Sequence, residues 1–327
     1  KAIFIVYMSI DLNTRLAKFE DLVPSKIPFV EGKLEGHRDR LNYSVIGPGV
    51  SEDAKQNVKI AEAHGFNIGG VNAAPMNGSG LHSHTTAEVF LVYQGRWRFY
   101  WGVDGQDGEV FLNRRDVASF PTNMFRGFQN VGTDRGLLFV VLGENDPGVI
   151  TWTPKTLSAA KDTGMVLLDD NTLVDTDLKN IPEDKKILDP LNENEIKTFD
   201  NYSVEDIEKC VVRFEDLGNV KITDNTNGNY IAYIEQLNLN GHSIEPVISH
   251  HPGFNLGAVY GDDVRIKEFY TSNKHEVFMS LDGQWKIYCE DQEIVIGPKD
   301  IFSAPVNTKR RFEKINSEFG FMYLVRE

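Results

Sequence analysis

Two histidines and one glutamate in the stretch "GLHSHTTAEVFLVYQGRWRFYWG" (80–102) have the residue types and the spacing of metal ligands. His82 and His84 are separated by one residue, so on a β-strand both side chains point to the same face. Glu88 follows four residues after His84. Two imidazoles and one carboxylate with open coordination positions form the ligand set of non-haem iron oxygenases, and open positions also permit Lewis-acid chemistry with manganese, nickel or zinc. The stretch therefore predicts a metal site beside a β-strand.

This stretch belongs to a repeat with an offset of 188 residues. Residues 66–100 align without gaps with residues 254–288, and ten of the aligned positions are identical. After a deletion of four residues, "DVASFPTNMFRGF" (116–128) aligns with "DIFSAPVNTKRRF" (300–312). Self-similarity over this length predicts two copies of one domain.

Each copy has the pattern of antiparallel β-strands. The runs are short, rich in valine and aromatic residues, and bounded by glycine, aspartate, asparagine and proline. In "RWRFYW", Trp97, Phe99 and Trp101 alternate with Arg96 and Arg98, so the apolar side chains share the core face and the arginines point away from it. The aligned run "QWKIYC" alternates in the same phase.

The duplication divides the chain into three parts. We expect an N-terminal domain at residues 8–150, an acidic linker with one helix at 151–205, and a C-terminal domain at 206–327. The helix is expected between Thr153 and Gly164, because a proline follows its start and a glycine stands at its end. Met8 is expected to be the natural start. The two domains should pack against each other, because open β-sandwiches leave edge strands that need covering.

The motifs in these copies resemble those of the cupin superfamily. The first cupin motif has a glycine, HxH, a glutamate four residues later and a glycine seven residues beyond, and its places are taken by Gly78, His82, His84, Glu88 and Gly95. In the second motif, the matching places are taken by Gly108, Pro121 and Asn130. With two copies in one chain, the sequence is similar to a bicupin.

The resemblance implies an all-β fold of two cupin-type double-stranded β-helix (jelly-roll) barrels, derived by internal duplication and joined by a short helical or irregular linker. It also implies an oxidoreductase of the dioxygenase type that acts on a small anionic, enolic or aromatic substrate in the N-terminal barrel. One divalent metal would be the cofactor, with iron as the first choice and manganese, nickel or zinc as alternatives. Its ligands would be His82, His84 and Glu88.

The sequence departs from the cupin pattern at the fourth ligand. The pattern places a histidine at position 126, but the residue is Arg126, whose guanidinium does not serve as a metal ligand. We expect Arg126 to act as a catalytic and substrate-binding residue that steadies an anion. The second copy is degenerate: Tyr270 and Ser272 replace the histidines, Arg310 again replaces the fourth ligand, and only Glu276 is retained.

A metal-free alternative follows from the same residues. Glu88 with Arg126, and Glu276 with Arg310, can form ion pairs inside the two barrels, because a buried carboxylate requires a partner. The protein would then be a non-catalytic binding protein that holds a small anion. In that case, however, nothing would explain why only the first copy has histidines in register with the cupin motif.

Composition limits the classes of partner. The chain has 327 residues and a formal net charge of −14, which argues against binding to nucleic acid or to an anionic membrane surface. Its two cysteines, Cys210 and Cys289, are far apart, which favours reduced thiols in the cytoplasm. We expect a small-molecule substrate as the partner and allow for a homo-oligomer.

The remaining histidines give weaker expectations. His37 lies in a charged segment and is expected at the surface, and His250 and His251 are expected in a solvated loop. His275 precedes Glu276 and should therefore point away from its barrel. His64 has no evident partner in the sequence.

Overall fold

A computed structural model describes residues 10–217, 226–234, 237–239, 242–248 and 253–327. The predictions for Met8, His250 and His251 concern residues that lie outside the described ranges. β-Strands dominate the described part, and within it no helix is both long and apolar enough to cross a membrane. The all-β prediction is confirmed.

The N-terminal copy is a sandwich of two sheets. Its strands are β1 (Leu16–Ala17), β2 (Arg40–Ile46), β3 (Val58–Ile60), β4 (Phe66–Ala73), β5 (Gly78–Ser83), β6 (Glu88–Gln94), β7 (Trp97–Trp101), β8 (Gly108–Leu112), β9 (Val117–Phe120), β10 (Arg126–Asn130), β11 (Gly136–Gly143) and β12 (Thr151–Trp152). One sheet runs β12-β5-β10-β7-β8 and the other contains β9-β6-β11-β4-β2-β3. Phe90 from the second sheet packs on Phe99 and Phe128 from the first, so one aromatic core joins the two sheets.

The linker contains the expected helix and some elements that were not expected. The helix α1 (Pro154–Asp162) begins after Thr153, whose hydroxyl caps it, and the chain leaves the helix through Gly164 at a φ of 80°. The linker also contains β13 (Met165–Leu167), β14 (Leu173–Asp175) and α2 (Glu193–Ile196), while α3 (Val204–Glu208) crosses its expected end and β15 (Val211–Val212) follows it.

The C-terminal copy repeats the first. Its strands are β16 (Thr226–Ile234), β17 (Leu237–Leu239), β18 (His242–Ile244), β19 (Asn255–Ile266), β20 (Tyr270–Thr271), β21 (Glu276–Asp282), β22 (Trp285–Cys289), β23 (Gln292–Ile296), β24 (Ile301–Ala304), β25 (Lys309–Lys314) and β26 (Gly320–Arg326). β21 and β22 stand at the repeat offset from β6 and β7, and β24-β21-β26-β19 has the order of β9-β6-β11-β4. The duplication inferred from the alignment is therefore present in the fold.

Each barrel is covered at one edge by a strap that precedes the other barrel. β1 pairs with β24 of the C-terminal copy, and β15 pairs with β9 of the N-terminal copy. A short 3-10 helix follows each strap: the Phe19 amide donates to Asp300 Oδ1 at 3.3 Å, and the Phe214 amide donates to Asp116 Oδ1 at 3.0 Å. Both helices carry the letters "FEDL", at 19–22 and 214–217, a second repeat that the sequence alignment missed. In this way each strap covers a sheet edge of the other barrel that would otherwise be exposed.

The two barrels share a continuous core, as the sequence predicted. Tyr93 and Phe139 of the first copy lie in one buried cluster with Tyr323 of the second. Arg114 and Arg115 of the first copy both donate to Asp282 of the second, at distances of 2.6 and 2.8 Å. The barrels are therefore held together by apolar packing and by a charged contact at its edge.

Candidate metal centre

His82 and His84 are fixed in the orientation that metal ligands need. His82 lies on β5 and donates from Nδ1 to the Gly80 carbonyl at 2.8 Å, while His84 donates from Nδ1 to the Thr86 carbonyl at 2.9 Å. A carbonyl only accepts, so each ring carries its proton on Nδ1 and keeps a lone pair on Nε2. This bonding of the far ring nitrogen is the usual outer-shell arrangement of metal-binding histidines.

Glu88, at the start of β6, completes the donor set. One ligand atom from each of His82, His84 and Glu88 lies within 4.8 Å of the others, and all three residues are buried. His84 Nε2 is 3.3 Å from Glu88 Oε2. The structure therefore brings together the three ligands that the sequence predicted: His82 on β5, His84 directly after β5, and Glu88 on β6 of the opposite sheet.

Arg126 contacts the same atoms. This residue begins β10 and pairs with His82 in the sheet register. Its Nη2 donates to Glu88 Oε2 at 2.5 Å and also to His84 Nε2. The guanidinium thus lies where a divalent cation would meet these ligands, so a metal can bind only if Arg126 gives up both contacts.

The guanidinium is incompletely satisfied in this position. Its Nη1 has only long contacts of 3.5 Å, with the carbonyls of His82 and Met124, and its buried Nε has no hydrogen-bond partner in the described part of the chain. A buried donor without a partner costs free energy. A second anion beside Arg126 would therefore give this side chain a reason to turn away from Glu88.

The protonation states of the three donor groups suit a cation. Burial alone would raise the pKa of Glu88, but Arg126 and the imidazoles outweigh it and hold this pKa well below its usual range. Burial and then the charge of Arg126 lower the pKa of His82 to about 4, and they lower the pKa of His84 as well. At neutral pH the site thus offers two neutral imidazoles and one carboxylate, the protonation states that divalent metals require.

A buried ion pair supports the first ligand, and the sequence analysis missed it. Glu31 Oε1 accepts from Arg40 Nη1 at 2.8 Å and from the Ser79 hydroxyl at 3.1 Å, while its Oε2 accepts from the Gly80 amide at 2.8 Å. This pair therefore fixes the part of β5 that leads into His82. Glu31 and Arg40 lie far from β5 in sequence and in a stretch rich in charges, so no local pattern distinguished them from surface residues.

His37, expected at the surface, is instead half-buried beside this ion pair. Its Nδ1 is 3.1 Å from the Gly78 carbonyl and 3.8 Å from Glu31 Oε2. The prediction was wrong because the segment folds back onto β5.

A small cavity adjoins the candidate centre. It has a volume of about 70 Å³ and is lined by His82, Glu88 and Ser79 on one side and by apolar side chains such as Phe128 and Leu142 on the other. A single water needs about 10–15 Å³ of such space, so the cavity holds a molecule of only a few non-hydrogen atoms.

Three other residues of the cupin-like motifs, Gly78, Gly95 and Asn130, shape or fasten the backbone around the site. A Cβ at Gly78 would lie 1.8 Å from the Phe128 carbonyl oxygen, so β5 can pass β10 only with glycine there. Gly95 has a φ of 92° in the turn between β6 and β7. Buried Asn130 donates to the Ala73 carbonyl at 2.9 Å and fastens the end of β10.

The corresponding place in the C-terminal barrel is filled by protein groups. The Tyr270 hydroxyl donates to Glu276 Oε2 at 2.9 Å, Arg310 Nη1 is 3.5 Å from the same oxygen, and Arg326 Nε donates to Glu276 Oε1 at 2.5 Å. Ser272 is outside this contact set and accepts from Arg310 through its carbonyl. Arg326 was missed by the sequence analysis, although it is the one charged residue of the otherwise apolar strand β26.

Removing the carboxylate from this second cluster should destabilise the protein. Glu276→Gln leaves Arg310 and Arg326 without their counter-charge in a buried site, which costs about 3–5 kcal/mol. Chemical denaturation of the variant and the parent measures this difference. Metal content should not change, and a loss of metal in a folded variant would contradict the assignment of the site to the first barrel.

This geometry defines the class of protein. Two jelly-roll barrels from an internal duplication, one carrying HxH and glutamate and the other degenerate, make the chain a bicupin in fold. No protein-family model matches the sequence, and no curated protein matches it either.

Solved structures of oxalate decarboxylases are similar to the whole chain. A variant of the Bacillus subtilis enzyme is 14% identical, with a TM-score of 0.57 over 95% of this chain and 76% of that one. The Lactobacillus farciminis enzyme, solved as a formate complex, is 16% identical, with a TM-score of 0.56 over 95% of this chain and 85% of that one. At these identities the likeness shows the fold, and the predicted bicupin architecture is confirmed.

Proposed function

We propose that the protein is a metal-dependent enzyme that acts on a small carboxylate anion in its N-terminal barrel. The observation that carries the proposal is the orientation of His82 and His84, whose Nδ1 atoms are both bonded to carbonyls so that both Nε2 lone pairs lie beside Glu88, where that of His84 now accepts from Arg126. An ion pair alone would not need this arrangement.

The metal would be held by His82, His84 and Glu88. When bound, it would supply a Lewis acid and open positions for an anionic substrate or for dioxygen. Iron remains the first choice from the sequence, with manganese, nickel or zinc as alternatives.

Arg126 would hold the substrate. The site without substrate contains one carboxylate and one guanidinium, and a divalent cation would add an uncompensated positive charge to a buried place. A substrate carboxylate offsets part of that charge and offers Arg126 a bidentate acceptor in exchange for Glu88 and His84. Arg126 and Glu88 are buried, so charged contacts at this place are stronger than they would be in water.

The size of the cavity favours a small organic acid over an aromatic one. A space of about 70 Å³ accepts a short carboxylate, whereas an aromatic acid would need the walls to open. A dioxygenase-type oxidation is the reaction proposed from the sequence. Decarboxylation is the second candidate, because the structural neighbours are named oxalate decarboxylases and the site would bind a carboxylate in either case.

A non-catalytic anion-binding protein is the alternative function. The contact of 2.5 Å between Arg126 and Glu88 favours it, since it satisfies the buried carboxylate without a metal. The expectations of a cytoplasmic location, of a possible homo-oligomer and of no nucleic-acid or membrane partner remain proposals. Cys210 and Cys289 are free thiols, as a reducing compartment would leave them.

One assay separates these functions. Protein loaded with iron(II) or manganese(II) is mixed with oxalate and other short carboxylates while oxygen uptake and carbon dioxide release are followed. We expect turnover that depends on the metal: oxygen uptake supports the dioxygenase, and carbon dioxide without oxygen uptake supports the decarboxylase. Binding of oxalate by metal-free protein, without turnover under any loading, would support the binding protein instead.

A further inference from the structure

A second group of metal-binding side chains lies between the two barrels. Glu62 and His64 belong to the loop between β3 and β4 of the N-terminal copy, and His275 stands directly before β21 of the C-terminal copy. One ligand atom from each lies within 4.8 Å of the other two. The rings of His64 and His275 lie against each other, with centroids 4.3 Å apart. His275 thus points away from its own barrel as expected, and it meets a residue for which the sequence suggested no partner.

Hydrogen bonds define which lone pairs are available. His64 Nδ1 is 2.6 Å from the Glu62 carbonyl and must be the donor there, so Nε2 is the acceptor and receives the Ser303 hydroxyl at 2.6 Å. His275 Nδ1 is buried and has no hydrogen-bond partner in the part of the chain that the structure describes. A buried imidazole nitrogen without a partner is a group that a metal would satisfy.

We propose that Glu62, His64 and His275 form a zinc site that joins the two barrels. Once the Ser303 hydroxyl turns away from His64 Nε2, two imidazoles and one carboxylate provide three of the four positions of tetrahedral zinc and leave the fourth for water. With bonds of about 2.1 Å, tetrahedral ligands stand about 3.5 Å apart, so donors that lie within 4.8 Å of one another need to approach by at most about 1.3 Å. Glu62 is exposed and can make most of this movement.

Arg15 competes with the metal for Glu62. Its Nη2 is 2.6 Å from Glu62 Oε2, while its Nε donates to the Ser303 carbonyl at 2.8 Å. A bound cation would take over the carboxylate and repel the guanidinium, which keeps its contact with the Ser303 carbonyl. Replacing Arg15 by glutamine should therefore raise the zinc affinity, whereas a purely structural Glu62–Arg15 pair gives no such gain.

The site is independent of the barrel centre. The residue aligned with His275 in the first copy is Ala87, so the duplication has not produced a second site of this kind there. The two groups of candidate ligands have no residue in common. Failure of the proposed function therefore leaves this proposal standing, and the reverse also holds.

Zinc titration of the intact chain tests the proposal by stoichiometry. Equilibrium dialysis against zinc should give one equivalent fewer for His275→Ala than for the parent, with at least a tenfold weaker affinity at the interface site. Lys274→Ala, the adjacent exposed residue without a ligand role, is the matched control and should keep the equivalent. The separate variant His82→Ala with His84→Ala should lose only the barrel equivalent.

Thermal melting gives a second readout that is independent of stoichiometry. Because the ligands come from both barrels, zinc should raise the melting temperature of the parent and of Lys274→Ala by several degrees more than that of His275→Ala. Unchanged zinc binding in folded His275→Ala, or no gain of affinity in folded Arg15→Gln, would overturn the proposal.

Discussion

Replacing His82 and His84 together by alanine is expected to abolish metal binding in the N-terminal barrel and, with it, turnover. The change removes two of three ligands whose Nε2 atoms share the site with Glu88. Loss of a single outer-shell partner already costs 10–100-fold in metal affinity, so loss of two ligands should cost more than about a hundredfold. Metal analysis after dialysis, with the interfacial equivalent subtracted, measures the loss.

The degenerate barrel supplies the control for this variant. Ser272 is aligned with His84 at the repeat offset and is partly exposed, so Ser272→Ala should leave both metal content and activity unchanged. Full retention of the barrel equivalent in the folded double variant would contradict the site. If the parent holds no metal and the double variant still binds the anion, the result would favour the non-catalytic binding protein.

Most of the fold followed from patterns that are local or repeated. Alternation such as that of Trp97, Phe99 and Trp101 predicts a strand with one buried face, and all three are buried in the structure. The repeat then assigned the same elements to the second copy. The repeated "FEDL" at 19–22 and 214–217, which follows the two straps, was missed because its offset is 195, whereas the aligned barrels are offset by 188 residues.

The site was predictable only where its residues are close in sequence. His82, His84 and Glu88 lie within seven residues, so their spacing carried the signal. Glu31 and Arg40 reach β5 only because the chain folds back over 38 residues or more, as the contact from Arg40 to Gly78 shows. No periodicity encodes such a contact, and a buried ion pair has the composition of a surface segment.

Arg326 shows a further limit of the repeat. Its aligned residue in the first copy is Leu142, which lines the cavity beside Glu88. In the second copy the arginine reaches Glu276 and adds a second cation to that carboxylate. This apolar-to-charged difference thus accompanies the loss of the histidines, and the two barrels differ in the charges around this glutamate although their strands match.

Arg126→His is expected to raise the metal affinity of the N-terminal barrel by at least tenfold while lowering turnover of a carboxylate substrate by about 10²–10³-fold. The guanidinium that contacts Glu88 and His84 is removed, and an imidazole at the start of β10 can supply a fourth nitrogen ligand. Removing a preorganised charge partner of the reacting anion typically costs a factor of that size. Metal titration and steady-state kinetics on the same preparation measure both effects.

The metal-free alternative makes the opposite prediction for the same variant. If Arg126 serves only to neutralise Glu88, its loss leaves a buried carboxylate without its counter-charge, and the protein should lose about 3–5 kcal/mol of unfolding free energy. Arg310→His is the matched control: Glu276 keeps Arg326 and Tyr270, so the loss of stability should be smaller. This control should gain no metal, because its barrel has Tyr270 and Ser272 in place of the two histidines. A folded Arg126→His protein with unchanged metal affinity and a large loss of stability would therefore assign Arg126 to the ion pair and remove the metal from the proposed function.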